Sequence, residues 1–464
     1  MNAKAWRLYA AGDARLEDVA LEEAGEDGVV VEIVTNTICL SDYKAVSLGA
    51  GHKRVPKDIA SNPTMFGHEV SGIVREVGAK WASRFSVGQR VCIQPAFNIP
   101  GHELETMGYA WHSIGGETTH VYLPSAVMEM GCLLPYDGDA FFMCSLAEPI
   151  SCIVSAFRTN YHHAFGSHVH EMGVVNGGTM LLMAGCGAMG LGCIDIACHS
   201  PENRPRRLVV TDIDDARLAR AARIFAVRQG ASRPSGLEGV VAAGEVNGVE
   251  VCFVNTRNMD DPVATLKAFN GGGLADAADP TSTGGGYDDI FLFAAVPALI
   301  TQCSDLLAFG GCLNFFAGPT DQNLSAPFNF YKVHYMNHHI VANSGGDVKD
   351  MADSVDWIGR GILHPEVMIT HVGGLDSAFK ATLDLHTVPG GKRLVYTHVM
   401  MPMTAIADFA EKGASDPFYA ELNRICSAHG GLWCKEAEDY LLAHAQRVAV
   451  GEPKAKIVER RIKY

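Results

Sequence analysis

The chain has 464 residues, 48% of them hydrophobic and 19% charged, a composition typical of a soluble globular protein with more than one domain. The formal net charge of -15 argues against nucleic acid as the main partner, because contacts to phosphates require a basic surface. No apolar run reaches the roughly 18 residues that a membrane span requires, and the N-terminus does not resemble a signal peptide.

The cysteine content also indicates the compartment. The chain has 13 cysteines, an odd number, and most lie in apolar surroundings. A disulfide framework would be unusual in so long a chain, so we expect reduced core cysteines. We therefore predict a cytoplasmic protein that binds neither nucleic acid nor a membrane.

The first part of the chain, from about residue 28 to 130, consists of short β runs separated by turn residues. Predicted strands cover Val29–Val34 and Gly72–Gly78, and a turn at Val87 runs into a strand that ends at Ile93. Strands at this spacing are typical of a small antiparallel barrel. A helix is then predicted over Ile150–Phe157.

The central part alternates strands and helices, which is the pattern of a βαβ unit. It begins after a His-rich link, 161–170, whose histidines we interpret as surface residues because their spacing is irregular. The predicted elements are strands Met180–Ala184, Leu208–Thr211, Val249–Val254, Asp289–Phe293 and Gly311–Phe316, and helices Leu191–His199 and Arg217–Ala226. We expect domains at 1–155 and 156–320, a return to the first domain over 321–400, and a C-terminal extension over 401–464 with a helix at Ala437–Leu442.

A glycine loop between the first strand and helix of the βαβ unit predicts a dinucleotide site. Gly185 permits a tight turn, Gly187 lets the backbone approach a pyrophosphate, and Gly190 lets the helix pack close to the sheet. An acid after the next strand would bind the adenosine ribose and favour NAD over NADP, although an arginine nearby leaves both open. A glycine-rich turn without a ligand is the alternative. The predicted cofactor contacts are Gly185, Gly187, Ala188, Met189, Gly190, Asp212 and Arg217.

Four residues ahead of this loop are candidate metal ligands: Cys39, His68, Glu69 and Glu148. Thiolate, imidazole and carboxylate are suitable ligands for Zn²⁺. Each residue alone has a structural explanation, as a core cysteine, an interior histidine, or an acid that begins a helix before Pro149. Their occurrence together with a nucleotide loop favours a metal that polarises an alcohol oxygen beside a hydride acceptor.

The order of these motifs resembles the medium-chain, zinc-dependent dehydrogenase superfamily over nearly all of residues 1–400. The motifs are Cys-x-Ser-Asp at 39–42, Gly-His-Glu at 67–69 and Glu-Pro at 148–149. The glutamate of Glu-Pro stands where alcohol dehydrogenases would have a cysteine ligand, and in this respect the chain is similar to the sorbitol dehydrogenase branch. Segments 52–56, 189–195 and 209–214 are further similar to L-sorbose 1-phosphate reductases. The resemblance implies an α/β fold with a GroES-like β-barrel catalytic domain, a Rossmann dinucleotide-binding domain and, at the C-terminus, a helical extension.

The resemblance also implies the roles of the site residues. A catalytic zinc held by Cys39, His68, Glu69 and Glu148 would activate the substrate hydroxyl, Ser41 would begin a proton relay, and the substrate carbon would give hydride to NAD. We count Ser41, Glu69 and Glu148 as catalytic. The family's four-cysteine lobe is missing, because no cysteine lies between Cys92 and Cys132. We therefore expect one zinc per chain. For His102, Glu103 and His112 in this region, a surface loop and a second metal site are equally good explanations.

The expected substrate is a polyol or sugar, with or without a phosphate. Candidate substrate-binding residues are Tyr43, Lys44, Lys53, Arg54 and Glu117. A solvated basic turn is an equal explanation for the three residues at 52–54. An enzyme that retains NAD and acts as an epimerase or lyase is one alternative, and a non-catalytic cofactor-bound structural or sensing protein is a more remote one. The family commonly forms homodimers or homotetramers, and we expect either.

Overall fold

The computed structural model describes residues 1–164, 166–227, 239–270, 285–388 and 390–459. The chain divides into two compact units. Unit 1 comprises Met1–Pro149 and Asp347–Tyr464, and unit 2 comprises Ile150–Gly346. The sequence placed these boundaries after residues 155 and 320, and it treated the C-terminal extension as a separate part, whereas the extension belongs to unit 1.

The N-terminal part of unit 1 is rich in strands. Its strands are β1 (Asn2–Ala10), β2 (Asp13–Ala20), β3 (Val29–Thr37), β4 (Thr64–Met65), β5 (Glu69–Val77), β6 (Arg90–Ile93), β7 (His120–Leu123) and β8 (Leu133–Pro135). Its helices are α1 (Leu40–Leu48), α2 (Ser125–Glu129), α3 (Phe141–Ser145) and the first turn of α4 (Ala147–Thr159). The predicted strands at 29–34, 72–78 and 87–93 lie in β3, β5 and β6.

Unit 2 is an α/β unit. Its strands are β9 (Tyr161–His162), β10 (Glu171–Met172), β11 (Thr179–Met183), β12 (Arg207–Asp212), β13 (Val240–Val246), β14 (Val249–Asn255), β15 (Tyr287–Leu292), β16 (Leu307–Asn314) and β17 (His339–Val341). Its helices are the rest of α4, α5 (Ala188–His199), α6 (Asp215–Ile224), α7 (Pro262–Phe269), α8 (Pro297–Leu306) and α9 (Phe330–Tyr335).

The strand order of the unit 2 sheet is that of a Rossmann domain. The order is β13-β14-β12-β11-β15-β16-β17, and every neighbouring pair is parallel except β13 with β14. When the six parallel strands are numbered along the chain, β11, β12 and β14 are the first, second and third, and β15, β16 and β17 are the fourth, fifth and sixth. Their order across the sheet is then 3-2-1-4-5-6, which is the Rossmann order. The predicted Rossmann domain is confirmed, and its last strand, β17, lies beyond the boundary that the sequence suggested.

The C-terminal part completes the sheets of unit 1. Its elements are α10 (Val348–Gly359), β18 (Ile369–Gly374), α11 (Ala378–Leu383), β19 (Lys392–Tyr396), β20 (Val399–Met400), β21 (Thr404–Ala405), α12 (Phe409–Gly413), α13 (Pro417–Ala428), α14 (Lys435–His444), β22 (Gln446–Arg447) and β23 (Ala455–Lys456). Short 3₁₀ helices occur at Gly49–Gly51, Ala79–Trp81, Pro365–Met368, Leu375–Ser377, Asp384–His386 and Ile406–Asp408.

Two sheets of unit 1 therefore combine strands from both ends of the chain. One has the order β23-β2-β1-β4, and the other has the order β21-β18-β19-β3-β5-β6-β8, with β7 also paired to β3. Strand β3 is rich in β-branched residues and is buried along nearly its whole length, as expected of a strand between two neighbours. Its pairing with β5 and β19 brings the segments around residues 39, 69 and 392 together.

Two observations bear on the predicted environment. All 13 cysteines belong to the described residues, and each is free of a disulfide. The stretch Phe141–Thr159 is long and apolar enough to cross a membrane by length and composition, so the prediction that no apolar run reaches this length is wrong. Since 72% of its most apolar window is buried inside the protein, this stretch is weak evidence for a membrane span.

Candidate active site

Cys39 lies at the N-terminus of α1, two residues after β3 ends. It occupies the N-cap position, and its backbone N–H donates to Oδ2 of Asp42 at 2.9 Å. The hydroxyl of Ser41 donates to the Cys39 sulfur at 3.0 Å and lies 3.4 Å from Nε2 of His68.

His68 is oriented by the same aspartate. Its Nδ1 lies 2.7 Å from Oδ1 of Asp42, and both side chains are buried. Burial lowers the pKa of His68, but the charge of Asp42 and its hydrogen bond outweigh burial and hold the pKa well above its usual value. The ring of Tyr109 packs against the imidazole with centroids 5.4 Å apart. Asp42 therefore leaves Nε2 as the nitrogen that faces Ser41 and Cys39.

Glu69 is held by two buried neighbours. Its Oε1 pairs with the ammonium of Lys392 at the start of β19, and its Oε2 accepts a hydrogen bond from the hydroxyl of Thr37. Burial lowers the pKa of Lys392, but the charge of Glu69 more than offsets this effect, and the pKa is raised. Lys392 was not predicted from the sequence. The signal there is a lysine at the start of an apolar strand, since a buried lysine requires a partner.

Three of the four predicted ligands come together in unit 1. One ligand atom from each of Cys39, His68 and Glu69 lies within 4.8 Å of the others, and no second such group lies wholly within the described residues of unit 1. Glu148 is buried in the first turn of α4, and its charge contributes to the raised pKa of Lys392. Thiolate, imidazole and carboxylate at this spacing fit Zn²⁺.

The loop that the sequence left open as a second metal site has other contacts. His112 is buried and its Nε2 lies 2.9 Å from the side-chain nitrogen of Asn62. His102 lies 3.4 Å from Glu105, and Glu103 accepts a hydrogen bond from the backbone of Gly101. No metal-capable group found among the described residues includes His102, Glu103 or His112.

Cationic side chains lie beside the metal-capable residues. Burial lowers the pKa of His52, and the charges of Arg54, Lys53, Lys44 and Lys57 lower it further. Lys44 is half-buried, and its own pKa, lowered mainly by burial, responds to the charges of both Cys39 and Lys53. The predicted pair at 53–54 therefore belongs to a group of cations around His52, of which Lys44 also interacts with Cys39.

Two other predicted substrate residues have defined partners in the protein. The ring of Tyr43 packs edge-on against His386, with centroids 4.4 Å apart. Glu117 is 1% exposed, and its Oε1 accepts a hydrogen bond of 2.7 Å from Asn36. Burial raises the pKa of Glu117 well above its usual value. The surroundings of Glu117 are thus the protein interior, and contact with a substrate stays a prediction for both residues.

The glycine loop of unit 2 has the close contacts that its sequence predicted. A Cβ at Gly190 would lie 2.0 Å from the carbonyl oxygen of Gly185, so the helix approaches the loop as only glycine permits. A Cβ at Gly187, the N-cap of α5, would meet no heavy atom within 4 Å, which leaves space for a ligand at the helix N-terminus. Ala188 and Met189 form the first turn of α5.

Asp212 lies at the end of β12 and faces the glycine loop. Its Oδ1 accepts a hydrogen bond of 2.8 Å from the backbone of Ile213, and its Oδ2 accepts one of 3.3 Å from the backbone of Cys186. Arg217 is exposed on α6, where its backbone N–H donates to the N-cap Asp214. The loop and the acid therefore meet as predicted, and the binding roles of Asp212 and Arg217 stay predictions.

Comparison with known proteins gives a consistent result. Residues 25–131 match the alcohol dehydrogenase GroES-like domain. The chain is 41% identical to mannitol-1-phosphate 5-dehydrogenase of Aliivibrio fischeri, over 93% of this chain and 95% of the relative. It is also 41% identical to L-sorbose 1-phosphate reductase of Klebsiella pneumoniae, over 96% of this chain and 98% of the relative.

A solved structure shows the same fold at lower identity. It is a protein of Sinorhizobium meliloti 1021 described as a zinc-binding dehydrogenase, and it is bound to NADP. Its TM-score is 0.63 at 18% sequence identity, with 86% of this chain and all of the other chain covered. The likeness extends over the GroES-like and the Rossmann parts of the fold.

Proposed function

Because the chain belongs to the zinc-dependent medium-chain dehydrogenases, of the sorbose-phosphate reductase type, we propose that it interconverts a secondary alcohol and a ketone on a phosphorylated polyol or sugar. NAD(H) is the proposed hydride carrier. The observation that carries this proposal is the convergence of Cys39, His68 and Glu69 in unit 1.

The donor set defines the chemistry. A zinc ion held by these side chains, with Glu148 close by, supplies a Lewis acid that lowers the pKa of an alcohol and stabilises charge on its oxygen. Asp42 keeps His68 in the orientation that presents Nε2. Lys392 compensates the charge of Glu69 in a buried position.

Ser41 is the proposed first proton acceptor. Its hydroxyl already contacts both Cys39, at 3.0 Å, and His68, at 3.4 Å. A hydroxyl between two metal-capable side chains would accept the proton of the substrate alcohol while it releases its own proton to water.

The cations near Cys39 support a phosphorylated substrate. Lys44, Lys53 and Arg54 act together on His52, and Lys44 also interacts with Cys39. A phosphate carried by the substrate would offset the repulsion among these cations, since charge-assisted hydrogen bonds to phosphate are strong. Both relatives are named for phosphorylated compounds.

NAD is the proposed nucleotide because of Asp212. Its carboxylate is buried at the end of β12 and fixed by backbone N–H groups. A fixed carboxylate at this position accepts hydrogen bonds from ribose hydroxyls and repels a 2′-phosphate. The exposed Arg217 is the residue that would favour NADP instead.

The proposal is tested by turnover on matched pairs of substrates. Zinc-loaded enzyme is assayed with NADH and with NADPH on ketoses and polyols, each with and without its terminal phosphate. We expect turnover of the phosphorylated member with NADH. Replacing Lys53 and Arg54 by alanine should raise the KM of that member by about 10- to 100-fold, the loss of one or two charged hydrogen bonds.

The control is Lys349→Ala, which removes an exposed lysine of α10 that pairs with Asp353. This variant should keep the KM of the parent enzyme. Preference for the unphosphorylated member, or equal loss for both members in the double variant, would contradict the phosphate assignment. Absence of turnover with NAD retained on the protein would favour an epimerase or lyase that regenerates its own NAD.

A further inference from the structure

One buried aromatic residue of unit 1, Tyr109, contacts both the basic turn at 52–54 and a metal-capable residue. Its side chain is 3% exposed and belongs to an apolar cluster that includes Phe66. Its ring stacks on that of His52, with centroids 5.6 Å apart and 19° between the ring planes. The same ring packs against His68, with centroids 5.4 Å apart. Tyr109 therefore joins two parts of the candidate site.

The glycine before Tyr109 explains how the ring reaches this position. Gly108 has a φ of +76°, and a Cβ there would lie 2.5 Å from the carbonyl oxygen of Gly67. The backbone at Gly108 therefore approaches the segment that carries His68 as only glycine permits. Tyr109 is the next residue, so its ring lies directly beside the imidazole.

We propose that Tyr109 is a positioning residue that aligns the two ends of a phosphorylated substrate. Its ring holds the guanidinium of Arg54, which would bind the phosphate, and its hydroxyl holds Ser41, which would take the proton of the alcohol. This inference rests on the proposed function. Tyr109 was not predicted from the sequence, because it lies outside the motifs that carry the metal-capable residues.

The ring of Tyr109 supports Arg54 in two ways. The guanidinium carbon lies 5.9 Å from the ring centroid, within the range of a cation–π interaction. Nδ1 of His52, whose ring stacks on Tyr109, accepts a hydrogen bond of 3.3 Å from the backbone N–H of Arg54. Nε of Arg54 is buried and has no hydrogen-bond partner among the described residues. An arginine that is held by an aromatic ring and lacks an acceptor favours an anion as its missing partner.

The hydroxyl of Tyr109 contacts the residues at the reacting end. It forms a hydrogen bond with Ser41 and lies 3.4 Å from Nδ1 of His68. Nδ1 lies closer to Asp42, at 2.7 Å, so the imidazole donates to that carboxylate and the phenol hydroxyl donates to Ser41. Ser41 in turn donates to the sulfur of Cys39. The hydroxyl of Tyr109 therefore fixes the orientation of the proposed proton acceptor.

Two substitutions separate the two contacts. Tyr109→Phe keeps the ring, so the single-turnover rate of NADH oxidation should fall about 3- to 10-fold, the loss of one neutral hydrogen bond, while the KM of the phosphorylated substrate stays within about 2-fold. Tyr109→Leu also removes the ring, so this KM should rise by about 3- to 30-fold, the range of a cation–π contact. The KM of the unphosphorylated member of the same substrate pair should not change in either variant.

A double-mutant cycle with Arg54→Ala tests whether the ring acts through the guanidinium. In the Arg54→Ala background, Tyr109→Leu should raise the KM of the phosphorylated substrate by less than about 2-fold, because the contact is already lost. The affinity for inorganic phosphate, measured by calorimetry on the zinc-loaded enzyme without turnover, should follow the same pattern. The control is Tyr136→Leu, which removes a ring of unit 1 that is 6% exposed and should keep the rate and the KM of the parent enzyme.

Three results would overturn the inference. They are an equal rise in KM for both members of a substrate pair in Tyr109→Leu, effects of Tyr109→Leu and Arg54→Ala that multiply, and an unchanged rate in Tyr109→Phe. Tyr109→Met replaces Tyr109→Leu if circular dichroism shows that the leucine variant is unfolded. Failure of the proposed function is distinguishable, since the parent enzyme itself would then show no preference for the phosphorylated member, and the inference would fail with it.

Discussion

Asp42 connects two of the residues that the proposed zinc site requires. One carboxylate oxygen accepts a hydrogen bond from the backbone of Cys39, and the other lies 2.7 Å from His68 Nδ1. The same side chain therefore fixes the position of a cysteine and the orientation of an imidazole. Loss of a residue that orients a metal ligand in this way typically weakens metal binding by about 10- to 100-fold.

Replacing Asp42 with asparagine should weaken zinc binding about 10- to 100-fold. The amide oxygen of asparagine would accept from Cys39, so its NH₂ group would face His68 Nδ1. The imidazole would then carry its proton on Nε2 and lose the lone pair that binds the metal. The zinc content that remains after dialysis against a chelator measures this effect.

Asp350→Asn is the matched control for this substitution. Asp350 occupies the same N3 position in the capping box of α10, and it too is buried. Its replacement changes a helix cap in the same unit without touching Cys39, His68 or Glu69. Equal zinc loss in both variants would mean that Asp42 supports zinc binding only by capping a helix of unit 1, and not by orienting His68.

At the level of single residues, the sequence predicted the donors but not their supports. Cys39, His68 and Glu69 were identified from motif order, and the structure brings them together. Lys392 was not identified, because it is 323 residues away from Glu69 and only the pairing of β3 with β19 brings the two close. A contact that depends on strand pairing at this separation has no local signal in the sequence.

At the level of elements, helix α14 of the C-terminal extension caps a helix near the candidate site. Glu438 accepts hydrogen bonds of 2.9 and 3.0 Å from the backbone N–H groups of Phe141 and Phe142, where α3 begins, and one of 3.0 Å from the hydroxyl of Tyr396. Trp433 donates to the same hydroxyl at 2.8 Å. The extension is thus part of the core of unit 1.

The buried Glu438 should make the stability of the protein decrease as pH rises. Burial raises the pKa of Glu438 to about 7, although its hydrogen bonds oppose this shift. The folded protein therefore keeps a proton that the unfolded chain loses above a pKa of about 4.5. The contribution of Glu438 to the free energy of unfolding is therefore fully present below about pH 4.5 and is lost as pH rises to about 7. The loss is at most about 3 kcal/mol.

Urea unfolding midpoints of the parent protein and Glu438→Gln, at about pH 5 and about pH 8, check this expectation. The amide does not titrate, so the variant should show a weaker decrease between the two pH values. Glu421→Gln on the exposed face of α13 is the control and should follow the parent protein. Identical pH dependence in the parent and in Glu438→Gln would exclude Glu438 as the source.

The accuracy of the predicted elements follows the strength of the local pattern. Strands β11, β12, β14, β15 and β16 and helices α5 and α6 of unit 2 were found because apolar runs alternate with helical periodicity. The hairpin of β1 and β2 was missed, since its strands carry charged residues at many positions. Strand β17 was missed because it has three residues, His339–Val341, and its ladder with β16 defines it.

At the scale of the whole molecule, the two units contain different parts of the proposed chemistry. Unit 1 holds the metal-capable residues and the cations, and unit 2 holds the nucleotide loop. The C-terminal end of the chain belongs to unit 1, where β23 pairs with β2 and β22 pairs with β20. The homodimer or homotetramer and the cytoplasmic location stay predictions.

The C-terminal strands should therefore stabilise unit 1, and removal of residues 446–464 tests this. The deletion would expose the apolar cluster that Ile457 covers and would remove Glu459, whose carboxylate accepts hydrogen bonds of 2.7 and 2.8 Å from Ser113. Loss of one buried isoleucine and of these charged hydrogen bonds corresponds to about 3–5 kcal/mol. We expect the deletion to lower the thermal midpoint and to speed amide exchange in β2. The control is Lys456→Ala, which removes an exposed side chain and leaves the pairing of β23 intact, so it should match the parent protein. An unchanged midpoint after the deletion would mean that these strands add nothing to the stability of unit 1, and the cluster around Ile457 would then have to be covered in another way.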